Sequence, residues 1–201
     1  KQNSATLFPH LLATEAASLQ FLEAQNIFKV PKVLKLSEEN GQQFLLLEWI
    51  NSGIKKETFW KSFGEQLAQL HQITNNDFGW KEANYMGAVP QQNNWENDWI
   101  SFFTNQRLLP LINSCRLQNL LTKKDERDFE KLITKLPQFF DTAEKPSLVH
   151  GDLWSGNIMC NQDSIPVLID PALYFGHRAV DLAMTTLFGS FDKTFYEAYQ
   201  Y

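Results

Sequence analysis

Residues 148 to 159 read Leu-Val-His-Gly-Asp-Leu-Trp-Ser-Gly-Asn-Ile-Met, and residues 167 to 171 read Val-Leu-Ile-Asp-Pro. These two stretches hold the residue types that phosphoryl transfer from ATP requires. A carboxylate must orient and deprotonate the attacking hydroxyl, oxygen ligands must hold Mg²⁺ against the phosphates, and a cation should steady the phosphate tail. Asp152, on a loop leaving a strand-like Leu148-Val149, suits the first role. Asn157 and Asp170 suit the second, since a carbonyl oxygen plus a carboxylate matches a hard cation that keeps several waters. A hairpin between Ile158 and Asp170 would return the two ligands to one place. Gly151 and Gly156 would let the chain turn sharply around them.

Asp, Asn and Gly are also ordinary turn formers, so Asp152 and Asn157 alone could mark only a turn. The pattern is longer than a turn needs: His-Gly-Asp, four residues, Asn, then an apolar run ending in Ile-Asp. His150 is expected to brace the loop, because the transfer already has its carboxylate. Asp181 sits among apolar helical neighbours and needs a partner, either His150 or the loop backbone. His177 is open between a supporting role behind the site and substrate contact. His10 and His71 read as structural, and Trp60, Trp95 and Trp99 as core or groove wall.

These residues must be positioned by the elements around them. Residues 13–26 predict a helix, with Ala16, Leu19 and Leu22 recurring at helical spacing. Residues 29–36 predict a short strand, Asn40-Gly41 a hairpin turn, and residues 44–50 a strand apolar on both faces apart from Glu48. From Thr58 a helix is expected, with Phe59, Phe63, Leu67 and Leu70 on one face. Residues 80–94 read as a loop. A longer helix should begin near Trp95 and be kinked or ended by Pro110. Residues 125–136 predict a helix with Phe129, Leu132, Ile133 and Leu136 inward. Two short β runs then flank the Gly-rich stretch, and helix returns from Ala179. The class is α+β: a small strand-bearing lobe and a mostly helical lobe. One helix and one hairpin hardly close a core, so further strands are expected before Lys1, and the chain is expected to continue past Tyr201.

The chain has 201 residues and a net charge of −5, which argues against a basic nucleic-acid groove. No apolar run reaches the length of a membrane span, and the first residues lack a signal-peptide core. Cys115 and Cys160 lack metal-ligand spacing and read as reduced thiols. A cytoplasmic protein is expected, with no membrane, nucleic-acid or obligate protein partner.

The segments His150–Ile158 and Leu168–Pro171 resemble the catalytic and metal-binding segments of the aminoglycoside phosphotransferase and protein-kinase-like superfamily. Within it, HGDLWSGN, DPALYFGHRAVDLAM, EAASL, VPKVL, GEQLAQLH and DWISFFTNQRL resemble the fructosamine kinases (ketosamine 3-kinases) along the whole chain. The resemblance implies a two-lobed protein-kinase-like fold, with a partial N-terminal ATP-binding lobe over 1–50 and a helical C-terminal lobe over 51–201. It implies that Lys1 contacts the ATP phosphates and that Glu15, fourteen residues on, holds Lys1. It places the glycine-rich phosphate hairpin before Lys1. It makes Leu47 to Ile50, with Glu48 and Ile50 at the nucleotide, the hinge whose main chain reads adenine, and sets Trp154 against the sugar of the acceptor. The implied activity is ATP-dependent phosphorylation of the sugar 3-hydroxyl on glycated amines or glycated protein lysines, a deglycation repair. Kinases of aminoglycosides or amino alcohols, and a non-catalytic pseudokinase, remain the alternatives.

Overall fold

Asn40 and Gly41 both adopt positive φ, 50° and 72°. That is the backbone a two-residue hairpin favours, because its twist matches the strands. They join β2 (Val33–Glu39) to β3 (Gln42–Leu47), and β1 (Gln2–Ser4) pairs on the other side of β3. The result is a three-stranded antiparallel sheet in the order β1-β3-β2. The computed structural model describes residues 1–141 and 143–200; Tyr201, where the sequence reading had the helical run break off, lies outside them.

Helix α1 (Leu11–Gln25) lies across this sheet, packing Leu12 and Ala16 on Leu45. Its N-cap residue, His10, makes no side-chain cap. Gln43 takes over that task from the sheet. Its buried amide accepts from the Leu12 N–H at 3.0 Å and donates to the Phe8 carbonyl at 2.7 Å. An otherwise orphaned helix N–H is satisfied this way, and α1 is fastened to β3. The strand expected to be apolar on both faces is corrected here. Gln43 and Leu45 are buried, while Phe44 and Leu46 are exposed at 37% and 58%. Helix α1 covers one face of the antiparallel sheet, so side chains alternate with the pleat.

The main core forms around α2 (Phe59–His71) and α7 (Lys193–Tyr199). Phe63 is fully buried, its ring 5.5 Å from Phe28, 5.8 Å from Phe191 and 5.1 Å from Phe195. Leu19 and Leu22 of α1 reach the same core, so α1 ties the sheet to the helical part.

Three further expectations change. The Asn- and Gln-rich loop holds a hairpin, β4 (Asn84–Met86) and β5 (Val89–Gln91), turning at Gly87. The helix expected near Trp95 begins as α3 (Trp99–Phe103), because the Asp98 side chain caps it by accepting from the Ser101 N–H at 2.8 Å. A π-helical turn (Thr104–Leu108) precedes α4 (Leu109–Leu117). Pro110 lacks an N–H and its ring crowds the carbonyl four residues back, so the turn before it widens and the helix continues. Helix α5 (Lys123–Lys135) forms with a capping box at Thr122 and Asp125. Its inner face is only partly covered: Leu136, just past its end, is buried, while Leu132 is 39% exposed. Its main neighbour is the turn at Leu136–Gln138.

The remaining strands are short: β6 (Ser147–Val149) pairs with β9 (Tyr174–Gly176), and β7 (Ile158–Cys160) with β8 (Pro166–Leu168). Helix α6 (Ala179–Leu187) follows β9. No helix among the described residues is long and apolar enough to cross a membrane.

Phe63→Ala would leave a cavity walled by aromatic rings. It should cost about 3–5 kcal/mol of stability, read as a lowered urea midpoint with an unchanged slope.

Candidate active site

The loop after β6 is held from below by one carboxylate. Asp181, on the first turn of α6, is fully buried. Its Oδ2 accepts from the His150 main-chain N–H at 2.7 Å, and its Oδ1 from the Gly151 N–H at 3.0 Å. His71, at the end of α2, donates a third bond to Asp181 from Nε2 at 3.2 Å. The other ring nitrogen of His71, Nδ1, faces the Tyr199 hydroxyl at 2.7 Å. Burial pushes the Tyr199 phenol up to about 12. Backbone, α2, α6 and α7 thus meet at one charge. Of the two partners foreseen for Asp181, the loop backbone is the one observed. The structural reading of His71 fits this part, although nothing in the sequence marked its link to the loop or to Tyr199. The only sequence signal was a polar residue at the end of an apolar helix face.

Gly151 has φ +82°, and a Cβ there would lie 2.1 Å from the Ala172 carbonyl oxygen. Both the backbone angle and the space demand glycine. The His150 ring, also fully buried, bridges two loops: Nε2 donates to the Ile169 carbonyl at 3.1 Å, and Nδ1 accepts from the Asp152 N–H at 3.3 Å. Burial lowers its pKa, against the pull of Asp181 and Asp152, and with both ring nitrogens engaged by main-chain groups the ring braces the loop.

Asp152 and Asn157 touch. The Asn157 amide donates to the Asp152 carboxylate and to its main-chain carbonyl, both at 2.8 Å. With its N–H₂ group turned to Asp152, the Asn157 side chain has its carbonyl oxygen left as an acceptor. Burial raises the Asp152 carboxyl above its ordinary value, and the bond from Asn157 opposes this. The β7–β8 hairpin continues one step past its strands, with the Ile169 N–H donating to the Asn157 carbonyl at 3.1 Å. Asp170 therefore follows directly beside Asn157. It holds a left-handed φ of 54°, uncommon for a residue with a side chain and frequent at functional sites. The donor pair, one amide oxygen and one carboxylate, fits a hard divalent cation that keeps water and phosphate ligands.

Lys1, the residue before β1, reaches this place. Its Nζ lies 2.8 Å from Glu15 Oε1 and also pairs with Asp170. Burial works to lower the Lys1 amine, but Glu15 and Asp170 outweigh it and hold it above its usual value. Glu15 is pushed up by burial against the pull of Lys1. Lys1, Glu15, Asp152 and Asp170 line one cavity of about 440 Å³, with Asn84, Tyr85 and Gly87 of the β4–β5 turn on its far side.

The other expected site residues lie outside that lining. The Glu48 N–H donates to the Lys32 carbonyl at 2.8 Å, and its side chain accepts from the Lys32 N–H at 3.3 Å. Its carboxylate thus fastens the strand end, and Ile50 is buried beyond it. Trp154 is half-buried, its ring against Phe188 at 5.2 Å and over Gly156, where a Cβ would meet the indole at 2.3 Å. Gly156 is thus needed for the indole above it, at an ordinary φ. The His177 ring lies 5.8 Å from Trp99 and 5.1 Å from Phe140, its Nδ1 accepting from the Ala179 N–H at 3.2 Å. That buried position gives it no face on the cavity.

A lysine paired with a helix glutamate, a His-Gly-Asp loop, and an Asn and Asp at the hairpin that follows thus stand together. The family model described as fructosamine kinase matches residues 1–201, and the chain belongs to that family. A "Probable ketoamine kinase" of Lactiplantibacillus plantarum is 38% identical over 98% of this chain and 68% of its own length. A "Protein-ribulosamine 3-kinase, chloroplastic" of Arabidopsis thaliana is 31% identical over 98% of this chain and 61% of its own. The crystal structure of a "Putative fructosamine-3-kinase" from Haemophilus somnus superposes with a TM-score of 0.89 at 29% identity, covering 100% of this chain and 66% of that one. An aminoglycoside phosphotransferase shares the fold, with a TM-score of 0.61 at 14% identity over 96% of this chain and 67% of its own. The chain spans about two thirds of the length of these relatives.

Asp181→Ala would strand the His150 and Gly151 N–H groups in the core. Each unsatisfied donor costs about 1–3 kcal/mol, so the variant should show a lowered urea midpoint.

Proposed function

We propose that the protein transfers the γ-phosphoryl group of ATP to the 3-hydroxyl of a ketosamine, the sugar adduct of an amine or protein lysine, and so serves deglycation. The observation that carries this reading is the convergence of Lys1, Glu15, Asp152 and Asp170 on one cavity in a chain of the fructosamine kinase family. In this reading 1–50 is the nucleotide lobe and 51–201 the lobe that supplies the base, the metal ligands and the acceptor surface.

Asp152 accepts the proton of the attacking hydroxyl and aligns its oxygen. The bond from Asn157 holds one carboxylate oxygen in place, leaving the other for the hydroxyl. Lys1 meets the phosphate oxygens, kept charged and aimed by Glu15. Asn157 and Asp170 would hold Mg²⁺, which when bound neutralises phosphate charge and orients the leaving oxygen. The Glu48 carbonyl and the Ile50 N–H, which have no main-chain partner among the described residues, would meet the adenine edge. Trp154 would offer the exposed part of its indole to the sugar's C–H face.

Asp152→Asn should leave ATP affinity unchanged and lower turnover on fructosyl-lysine by about 10²- to 10⁴-fold, measured by ADP release. Because the carboxyl is raised, the acid limb of kcat/KM should lie above the ordinary Asp value of about 3.9: activity is present above the raised pKa and lost as pH falls through it. A limb at or below the ordinary value would remove Asp152 from the role of base.

Asp170→Ala should abolish turnover and weaken Mg·ATP far more than metal-free ATP in calorimetric titrations, since a hard cation loses its anionic ligand. Equal weakening of both would make Asp170 a fold residue.

A further inference from the structure

A second cavity, of about 420 Å³, lies on the other side of the same loop. Gly151 lines it, while its neighbour Asp152 lines the first. The β4–β5 hairpin is shared in the same way: Tyr85 and Gly87 face the first cavity, and Met86 and Gln91 the second. The two chambers are therefore adjacent, with the proposed base at their common edge.

Their chemistry is opposite. The first is walled by charges. The second is walled by Phe103 and Leu108 of the α3–α4 stretch, Phe140, and Val180, Ala183 and Met184 of α6. Arg107 is the one charged side chain at its wall. Its terminal nitrogens are committed elsewhere: Nη1 donates to the Gln92 carbonyl and Nη2 to Asn93 Oδ1, both at 2.6 Å, Nε has no partner among the described residues, and the group lies 4.2 Å from the Tyr174 ring centre. Burial lowers its pKa, against the pull of Tyr174. Sugar hydroxyls in this chamber would meet few partners, at a cost. An apolar chain would shed water there, and the volume is that of a small-ligand site.

We propose that this chamber receives the non-sugar part of the acceptor, so that the protein selects ketosamines whose amine carries an apolar stem of several carbons. The proposal rests on the ketosamine reading above. The sugar then stays at the charged edge by Asp152, and the alkyl stem, such as the side chain of a glycated lysine, runs across Gly151 into the chamber. Ala183 is exposed on α6, so a larger side chain there would fill the chamber without entering the core.

The test uses 1-deoxy-1-(alkylamino)-fructoses with methyl, butyl and hexyl groups, with affinity read by calorimetry and transfer by ADP release. Wild-type affinity should rise by up to about threefold to fourfold per added methylene. Ala183→Phe should flatten this rise while binding the methyl compound and ATP as before. Met184→Gln should reduce the rise, and serves if Ala183→Phe fails to fold. A flat wild-type series, or a rise that both variants retain, overturns the chamber's role. Absence of ADP release from every compound would overturn the ketosamine reading instead, while the binding series still decides the chamber.

Discussion

A fully buried carboxylate is the constraint on which the site rests. Asp181 loses its water on folding and recovers three hydrogen bonds: two from the main chain at His150 and Gly151, one from His71. Buried charge is tolerated only with such pairing. The pairing has a direction, because a main-chain N–H cannot move without moving the loop. Asp152 stands one residue past Gly151, so its position follows from the anchor of α6 in the core. His71 extends the same constraint to α2, and Tyr199 to α7.

The second half of the site is built differently. Lys1 lies on a small sheet and Glu15 on the helix that crosses it, and their pairing depends on how α1 sits on β3. Gln43 sets this by holding the first turn of α1 with both ends of its amide. Leu19 and Leu22 then carry the helix into the main core. The ion pair alone would contribute little, since Lys1 remains partly exposed and such pairs are worth about 0–1 kcal/mol. Its value is positional: it sets a cation across the cavity from Asp152, with Asp170 beside it.

The loop, the β4–β5 hairpin and α6 also divide space by polarity. One side of the loop offers carboxylates, an amine and amide groups; the other offers methyl and aryl groups. A substrate that is part sugar and part alkyl amine has the same division, and the loop carries the proposed base at the boundary.

Residues 148–171 named the groups of the proposed reaction, since Asp152, Asn157 and Asp170 stand in an order and spacing that turns alone do not require. Periodicity likewise announced α1, α2 and α6, because an apolar stripe at helical spacing has one way to be buried. Asn40-Gly41 announced its hairpin, because few other residues tolerate that backbone. What escaped the sequence depended on partners far along the chain. The bond from Tyr199 to His71 joins residues 128 apart. Gln43 as a helix anchor, the outward faces of Phe44 and Leu46, and the His177 ring packed on Trp99 all depend on what packs against what. The hairpin at Gly87 is settled by tertiary packing over weak local preferences. Residue type and spacing determine which groups can react and which backbones are open. Only the packed core determines which polar groups lose water, and a group that loses water must find its partner wherever the fold has brought one.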